Sequence, residues 1–424
     1  MTEKLLQYIW QFQYFNSNGL ATIEGDILQI SYPGFLNTNQ GPDFLEARIK
    51  VANTFWAGNI ELHLKSSHWN THKHSGDKNY NNIILHVVWE DDASLSVAFP
   101  VLELQNRVSK ILLSRYDEMM NTTAFIPCEK SIQQVDALTW KSWKDRLLAE
   151  RLQNKSAIIF EHLAANNNHW EETFWWLLAN NFGIKVNSDA FEKIAGSLPV
   201  SILAKHKNQI HQLEALLFGQ AGLLENSFTD DYPLMLQKEY LFYKTKYKLQ
   251  PIQAPLFFLR MRPANFPSVR LAQLAMLINQ STSLFSVVKE SHSLKDIKKL
   301  LNATANDYWH YHYVFDEACA FKEKNLGTQM INNILINTII PVVFAYGLHY
   351  KEEGYKSKAL QWLEEIAKEK NNITNAFAGL GIGNNNAFDS QALIQLKNEY
   401  CNKKRCLKCA VGNRLLKKVI ASYT

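Results

Sequence analysis

Hydrophobic positions near the start of the chain recur at helical spacing. Leu5, Ile9, Trp10 and Phe12 share a face, so residues 2–14 are predicted to form an amphipathic helix. Shorter runs with the two-residue alternation of strands come next. Ala21–Glu24 and Ile27–Ser31 flank a Gly25-Asp26 turn and suggest a hairpin. Phe44–Val51 and Phe55–Lys65, joined around Asn53, give two longer strands, and Ile83–Trp89 and Val97–Leu104 two more. Leu104, Val108, Ile111 and Leu112 then mark a helix reaching about Met120. The order of helix, three or four strands, polar segment or helix, two strands and helix is that of a small α/β domain. From about Asp136 strand alternation nearly vanishes, and runs such as TWKSWKDRLLAERLQNKSAIIFEHL and EETFWWLLANNF are helical in period. The proline-rich stretch 251–267 reads as an irregular connector between two helical lobes. The fold class expected is therefore α+β. A domain over residues 1–125, with a mixed sheet, precedes a mainly α-helical domain over 126–424 that ends in a cysteine cluster.

Composition narrows the class without deciding it. At 424 residues the chain is long enough for two or more cores, and 46% hydrophobic with 20% charged residues argues against extensive disorder. Lys plus Arg exceed Asp plus Glu by 45 − 40 = +5. That mild excess permits a polyanionic partner without demanding one. The N-terminus lacks the pattern of a secretory signal. The best membrane candidate, 331–350, carries three asparagines and a proline, so a buried helix is the expectation there. Five cysteines do not resemble a secreted disulfide framework. The expected setting is the cytoplasm, with no membrane partner; oligomeric state stays open.

Candidate chemistry concentrates in GPDFLEARIKVANTFWAGNIELHLKSS, residues 41–67. Along the second strand, alternation projects Glu61, His63 and Lys65 one way and Ile60, Leu62 and Leu64 the other. Phosphodiester cleavage with a divalent metal needs carboxylates to hold the ion and a cation or base beside the attacking water. Asp43 and Glu61 could supply the carboxylates, His63 a further ligand or base, and Lys65 the water-orienting cation, with Mg²⁺ or Mn²⁺ bound. Strict alternation puts Asp43 on the face of Leu45, Ala47 and Ile49, leaving Glu46 opposite as a reserve ligand. A solvated sheet face carrying a cross-strand charge pattern would present the same row.

These residues resemble the PD-(D/E)XK nuclease superfamily. Pro42 and Asp43 match its PD, Lys65 its lysine, and Ser66-Ser67 the small polar residues that often follow. The likeness covers about the first 120 residues and implies a restriction-endonuclease-like sheet, nucleic acid as partner and metal-dependent hydrolysis. His63 departs from it by occupying the place of the acid two residues before the lysine. Over its whole length the chain resembles an uncharacterised bacterial family of unassigned function.

Two further clusters could bind metal. In HWNTHKHSGDKNY, His72, His74 and Asp77 suit Zn²⁺ or Mn²⁺, or, the histidines together with Lys73 and Lys78, a phosphate. His86 is expected to be a hydrogen-bonded core histidine. Near the C-terminus Cys401, Cys406 and Cys409 could hold Zn²⁺ or an iron–sulfur cluster. A fourth ligand would come from afar, from Cys128, Cys319 or a histidine. Some nucleases of the resembled superfamily carry an iron–sulfur cluster built from one remote and three clustered cysteines, and Cys128 with the trio is similar in arithmetic. The expected function is metal-dependent nucleic-acid cleavage. A non-catalytic nucleic-acid or protein-binding scaffold is the alternative, and a zinc-supported structural protein a third.

Overall fold

The computed structural model describes residues 1–72, 77–281 and 283–418. The fold is α+β, with an N-terminal mixed, curled sheet and a mainly helical remainder. Its described residues fall into two compact units. The first comprises those within Met1–Asp145, Asn375–Ile382 and 394–418; the second comprises those within Arg146–Thr374 and Gly383–Leu393. Where the sequence suggests one boundary near residue 125, the chain thus leaves the first unit and re-enters it twice. The C-terminal cysteines fall in the sheet unit, not in the helical one.

The first unit opens with helix α1 (Glu3–Gln11). Thr2 caps it by accepting from the Leu5 N–H, and Leu5, Leu6, Ile9 and Trp10 are buried. Gln13, at φ 52°, ends it short of the expected residue 14. The strands are β1 (Leu28–Tyr32), β2 (Phe35–Leu36), β3 (Phe44–Val51), β4 (Thr54–Lys65), β5 (Ile83–Glu90) and β6 (Val101–Glu103). The sheet order is β1-β3-β4-β5-β6, with β2 also pairing on β3. Pairings β1–β3 and β3–β4 are antiparallel, whereas β4–β5 and β5–β6 are parallel. The hairpin expected around Gly25 is only a bridge, Ala21 to Ile27, beside β1. Between β4 and β5 lie helix α2 (His68–Thr71) and a 3₁₀ turn, Lys78–Tyr80; helix α3 (Lys110–Asn121) follows β6.

Strands β3 and β4 are joined by the two-residue loop Ala52-Asn53, with Ala52 at φ 51°. Their register shifts between Phe44 and Ala47, where Glu46 takes φ 60° and its N–H bonds the Asn59 side chain at 3.3 Å. This bulge reverses face parity. Phe44 and, beyond the bulge, Ala47, Ile49 and Val51 are all buried. Asp43 therefore does not share their face, as strict alternation had required, and Glu46 is exposed at the bulge instead of facing the site.

The second unit is helical around one large core, in which Phe174, Phe182, Phe218 and Trp309 are fully buried. The unit boundary falls within helix α4 (Ala137–Ala165). The proline-rich connector runs irregularly between helices Asp231–Tyr247 and Pro267–Gln280. Thr328–His349 is long and apolar enough to cross a membrane by length and composition, yet 72% of its apolar window is buried within the protein. Deep in this unit Glu214 accepts from the Tyr232 hydroxyl at 2.8 Å, the Asn306 amide at 2.6 Å and the Trp309 indole at 3.1 Å. Burial pushes its carboxyl up to about 7.

Candidate functional site

The segment leading into β3 is fixed by its own turn chemistry. Gly41 adopts φ +108°, a conformation that glycine reaches without a Cβ clash. The Asn37 side chain donates to the Pro42 carbonyl at 2.9 Å, and the Asn37 backbone N–H donates to the Asp43 carbonyl at 2.8 Å. Asp43 thereby stands at the mouth of β3, beside the middle of β4, where Phe44 pairs with Ile60. The two carboxylates are interlocked through backbone. The Asp43 N–H donates to Glu61 Oε2 at 3.1 Å, and the Leu62 N–H donates to Asp43 Oδ2 at 3.1 Å. From α1, the Gln7 amide donates to Asp43 Oδ1 at 2.7 Å.

This is an acidic, desolvated corner. Burial raises the Asp43 carboxyl to about 6, against its backbone and Gln7 hydrogen bonds. Burial, then the neighbouring Asp43 charge, raises Glu61 to about 8, and Glu3 on α1 adds to both. The same two acids, after burial, push up the Tyr80 phenol. Two carboxyls held this way share a strong preference for a nearby cation.

Beside them runs a row of imidazoles. Buried His63 places Nε2 3.6 Å from Glu61 Oε1 and 3.1 Å from Nδ1 of the exposed His72. Its Nδ1 lies 2.9 Å from Nε2 of fully buried His86, which β5 sets opposite Glu61 in the parallel register. The His68 ring approaches both His63 and His72, and Trp69 from α2 packs against His63, His86 and Phe99. His86 is thus the hydrogen-bonded core histidine expected, and also the second support of His63, which alternation along a single strand cannot reveal.

Lys65 is not in this cluster. It is half-exposed, and its ammonium pairs with Asp92 Oδ2 at 3.5 Å rather than with Asp43 or Glu61. Asp92 accepts from the Ser67 N–H at 3.0 Å, from the Ser67 hydroxyl at 2.9 Å and from the Ser66 hydroxyl at 3.2 Å. The Ser67 backbone bond leads in holding its carboxyl down to about 2. The serines read as companions of the lysine thus bind its counter-ion. Asp77 caps the turn after it, accepting from the Asn79 N–H at 2.9 Å, and His74 lies outside the described residues. Sequence reasoning missed Glu3, Gln7 and Asp92; a glutamine three positions from Trp10 carries no local signal of a partner at residue 43.

Among the described residues, no three His, Cys, Asp or Glu side chains form a ready-made metal cage. The donors at Asp43 and Glu61 fit a hard divalent ion that keeps several waters, which one or two carboxylates suffice to hold. Residues 3–372 match the model of a family described as "Protein of unknown function (DUF2851)". No curated protein and no solved structure matches the chain.

Proposed function

Because the chain belongs to this family, DUF2851, whose description assigns no activity, we propose its function from the site alone: metal-dependent hydrolysis of phosphodiester bonds in nucleic acid. The observation that carries this reading is the junction of Asp43 and Glu61, two carboxylates from neighbouring strands brought together in a desolvated corner. The element order supports it. Helix, the antiparallel strands β1 to β4, helix, then a strand parallel to β4 is close to the order that the PD-(D/E)XK resemblance implies, so we read the sheet as restriction-endonuclease-like.

Asp43 and Glu61 would hold Mg²⁺ or Mn²⁺, which when bound neutralises charge developing on the phosphate and lowers the pKa of water. The acid-x-cation spacing is then best met by Glu61 and His63, two residues apart on one face, with Lys65 one step beyond. His63 would accept the proton of the attacking water on Nε2, giving up its contact with exposed His72, and then hand that proton to His72 and so to solvent. Lys65, at the rim, contacts a backbone phosphate of the substrate. The surroundings are taken to be cytoplasmic.

The pairing of Lys65 with Asp92 favours a second reading, a scaffold of the same fold that binds nucleic acid without cutting it. Labelled DNA and RNA incubated with Mg²⁺ or Mn²⁺ distinguish the two. Degradation that is abolished by Asp43→Ala and by Glu61→Ala supports hydrolysis. Salt-sensitive binding without cleavage supports the scaffold. Absence of both removes nucleic acid from the picture.

A further inference from the structure

Four of the five cysteines meet in one place. Cys128 precedes the 3₁₀ turn Glu129–Gln134, whereas Cys401, Cys406 and Cys409 lie some 270 residues later, yet all four line a single cavity. Each is a free thiol; Cys128, Cys406 and Cys409 are buried and Cys401 is half-buried.

The backbone around them is shaped for the meeting. Cys401 closes a π-helical turn, Leu396–Cys401, a widened geometry that is frequent at functional sites. The chain then turns through Lys404 at φ 48° into the 3₁₀ segment Cys406–Lys408. Cys409 stands just before the terminal helix Ala410–Lys418. Gly412 has no room for a side chain, because a Cβ would come within 2.4 Å of the Cys406 carbonyl oxygen. Two lysines fasten the Cys128 side: Lys397 donates to the Phe125 carbonyl and Lys404 to the Met120 carbonyl. Their positive charges would offset part of a tetrathiolate's net negative charge.

We infer that Cys128, Cys401, Cys406 and Cys409 are the ligands of one structural Zn²⁺ ion, which clips the segment after α3 to the C-terminal part of the sheet unit. The four sulfur ligands, two of them in a Cys-x-x-Cys pair, match the tetrahedral set that a single structural zinc ion takes. The thiols are not yet set as a closed cage, so they turn inward on the ion and lose their protons as it binds. This assignment is independent of the hydrolytic reading of Asp43 and Glu61.

The full chain, purified without chelator, is analysed for metals, and then with Co²⁺ in place of zinc. One zinc per chain is expected, with Co²⁺ giving the intense thiolate charge-transfer bands of a four-sulfur site. Cys128→Ser and Cys406→Ser should each lower zinc content at least fivefold, while Cys319→Ser leaves it unchanged. Should the serine variants not fold, alkylation of the wild type decides: four of five cysteines protected until a chelator is added supports the site. Protein that is folded, metal-free and alkylated at all five cysteines overturns it. So does full zinc content in a folded Cys128→Ser variant, or iron with sulfide in place of zinc.

Discussion

His63 is held from both sides by imidazole nitrogens and faces Glu61 with the edge it shares with His72. If it moves a proton in the reaction, His63→Ala lowers cleavage by about 100-fold or more, in the usual range for loss of a general base. Lys65→Ala, removing a group paired with Asp92, should raise KM and leave kcat nearly unchanged. Equal losses of kcat in the two variants would restore the lysine to the chemistry. Glu61 provides a test without any substrate. Its folded pKa is raised from 4.5 to about 8, so the folded chain keeps this proton where the unfolded chain has lost it. The stability this group confers is full below its ordinary value, declines as pH rises towards about 8, and then levels off. In chelator, the unfolding free energy from urea titration should fall across that window, by at most about 1.4 kcal/mol per pH unit from this group. Glu61→Gln should flatten the curve, and Mn²⁺ should restore the wild type at the alkaline end. A variant that keeps the full slope would show that the proton is held elsewhere.

At the level of the strand, the bulge at Glu46 decides which side chains face the acids. A glutamate at φ 60° is strained, whereas glycine adopts that angle freely. Glu46→Gly should therefore be stabilising or neutral, and Glu46→Val should lose on the order of 1–2 kcal/mol, read from chemical denaturation. Gly58 is the opposite case. A Cβ there would lie 2.5 Å from Ile84 Cγ2 and 2.6 Å from the Asn82 carbonyl oxygen. Gly58→Ala should cost about 1–3 kcal/mol as β4 is pushed from β5. These two positions also show how far the sequence could be read. Alternation found β3, with the bounds later seen, and nearly all of β4, because burial alternates along β3 beyond the bulge and apolar residues alternate in the sequence Ile60–Leu64 even though both faces of β4 are buried there. It put Asp43 on the wrong face because one extra residue reverses parity, and nothing in FLEAR marks an insertion. The pairing of His63 with His86 was out of reach for another reason. It depends on the parallel register of two strands separated by a helix, and no local pattern encodes that offset.

On the scale of the whole chain, the sheet unit is finished by residues made long after its strands. The Arg115 guanidinium donates to the Leu415 carbonyl at 3.0 Å, the Tyr8 hydroxyl bonds the Asn413 side chain, and Lys397 reaches the Phe125 carbonyl. Residues 1–125 produced alone should accordingly be poorly soluble or lack a cooperative thermal transition. A chain ending at residue 393 should lose the sheet unit's transition in calorimetry. A sharp, unchanged transition in either fragment would mean that the returning segment is only an ornament. The re-entrant path has a bearing on biosynthesis too. A ribosome must add some 250 residues between Asp145 and Ile394 before the closing piece emerges. Synthesis at roughly 5–20 residues per second makes that a wait of tens of seconds or so. Throughout it, the nascent sheet carries an uncovered seam, and a chaperone or a slow translation schedule has the opportunity to guard it.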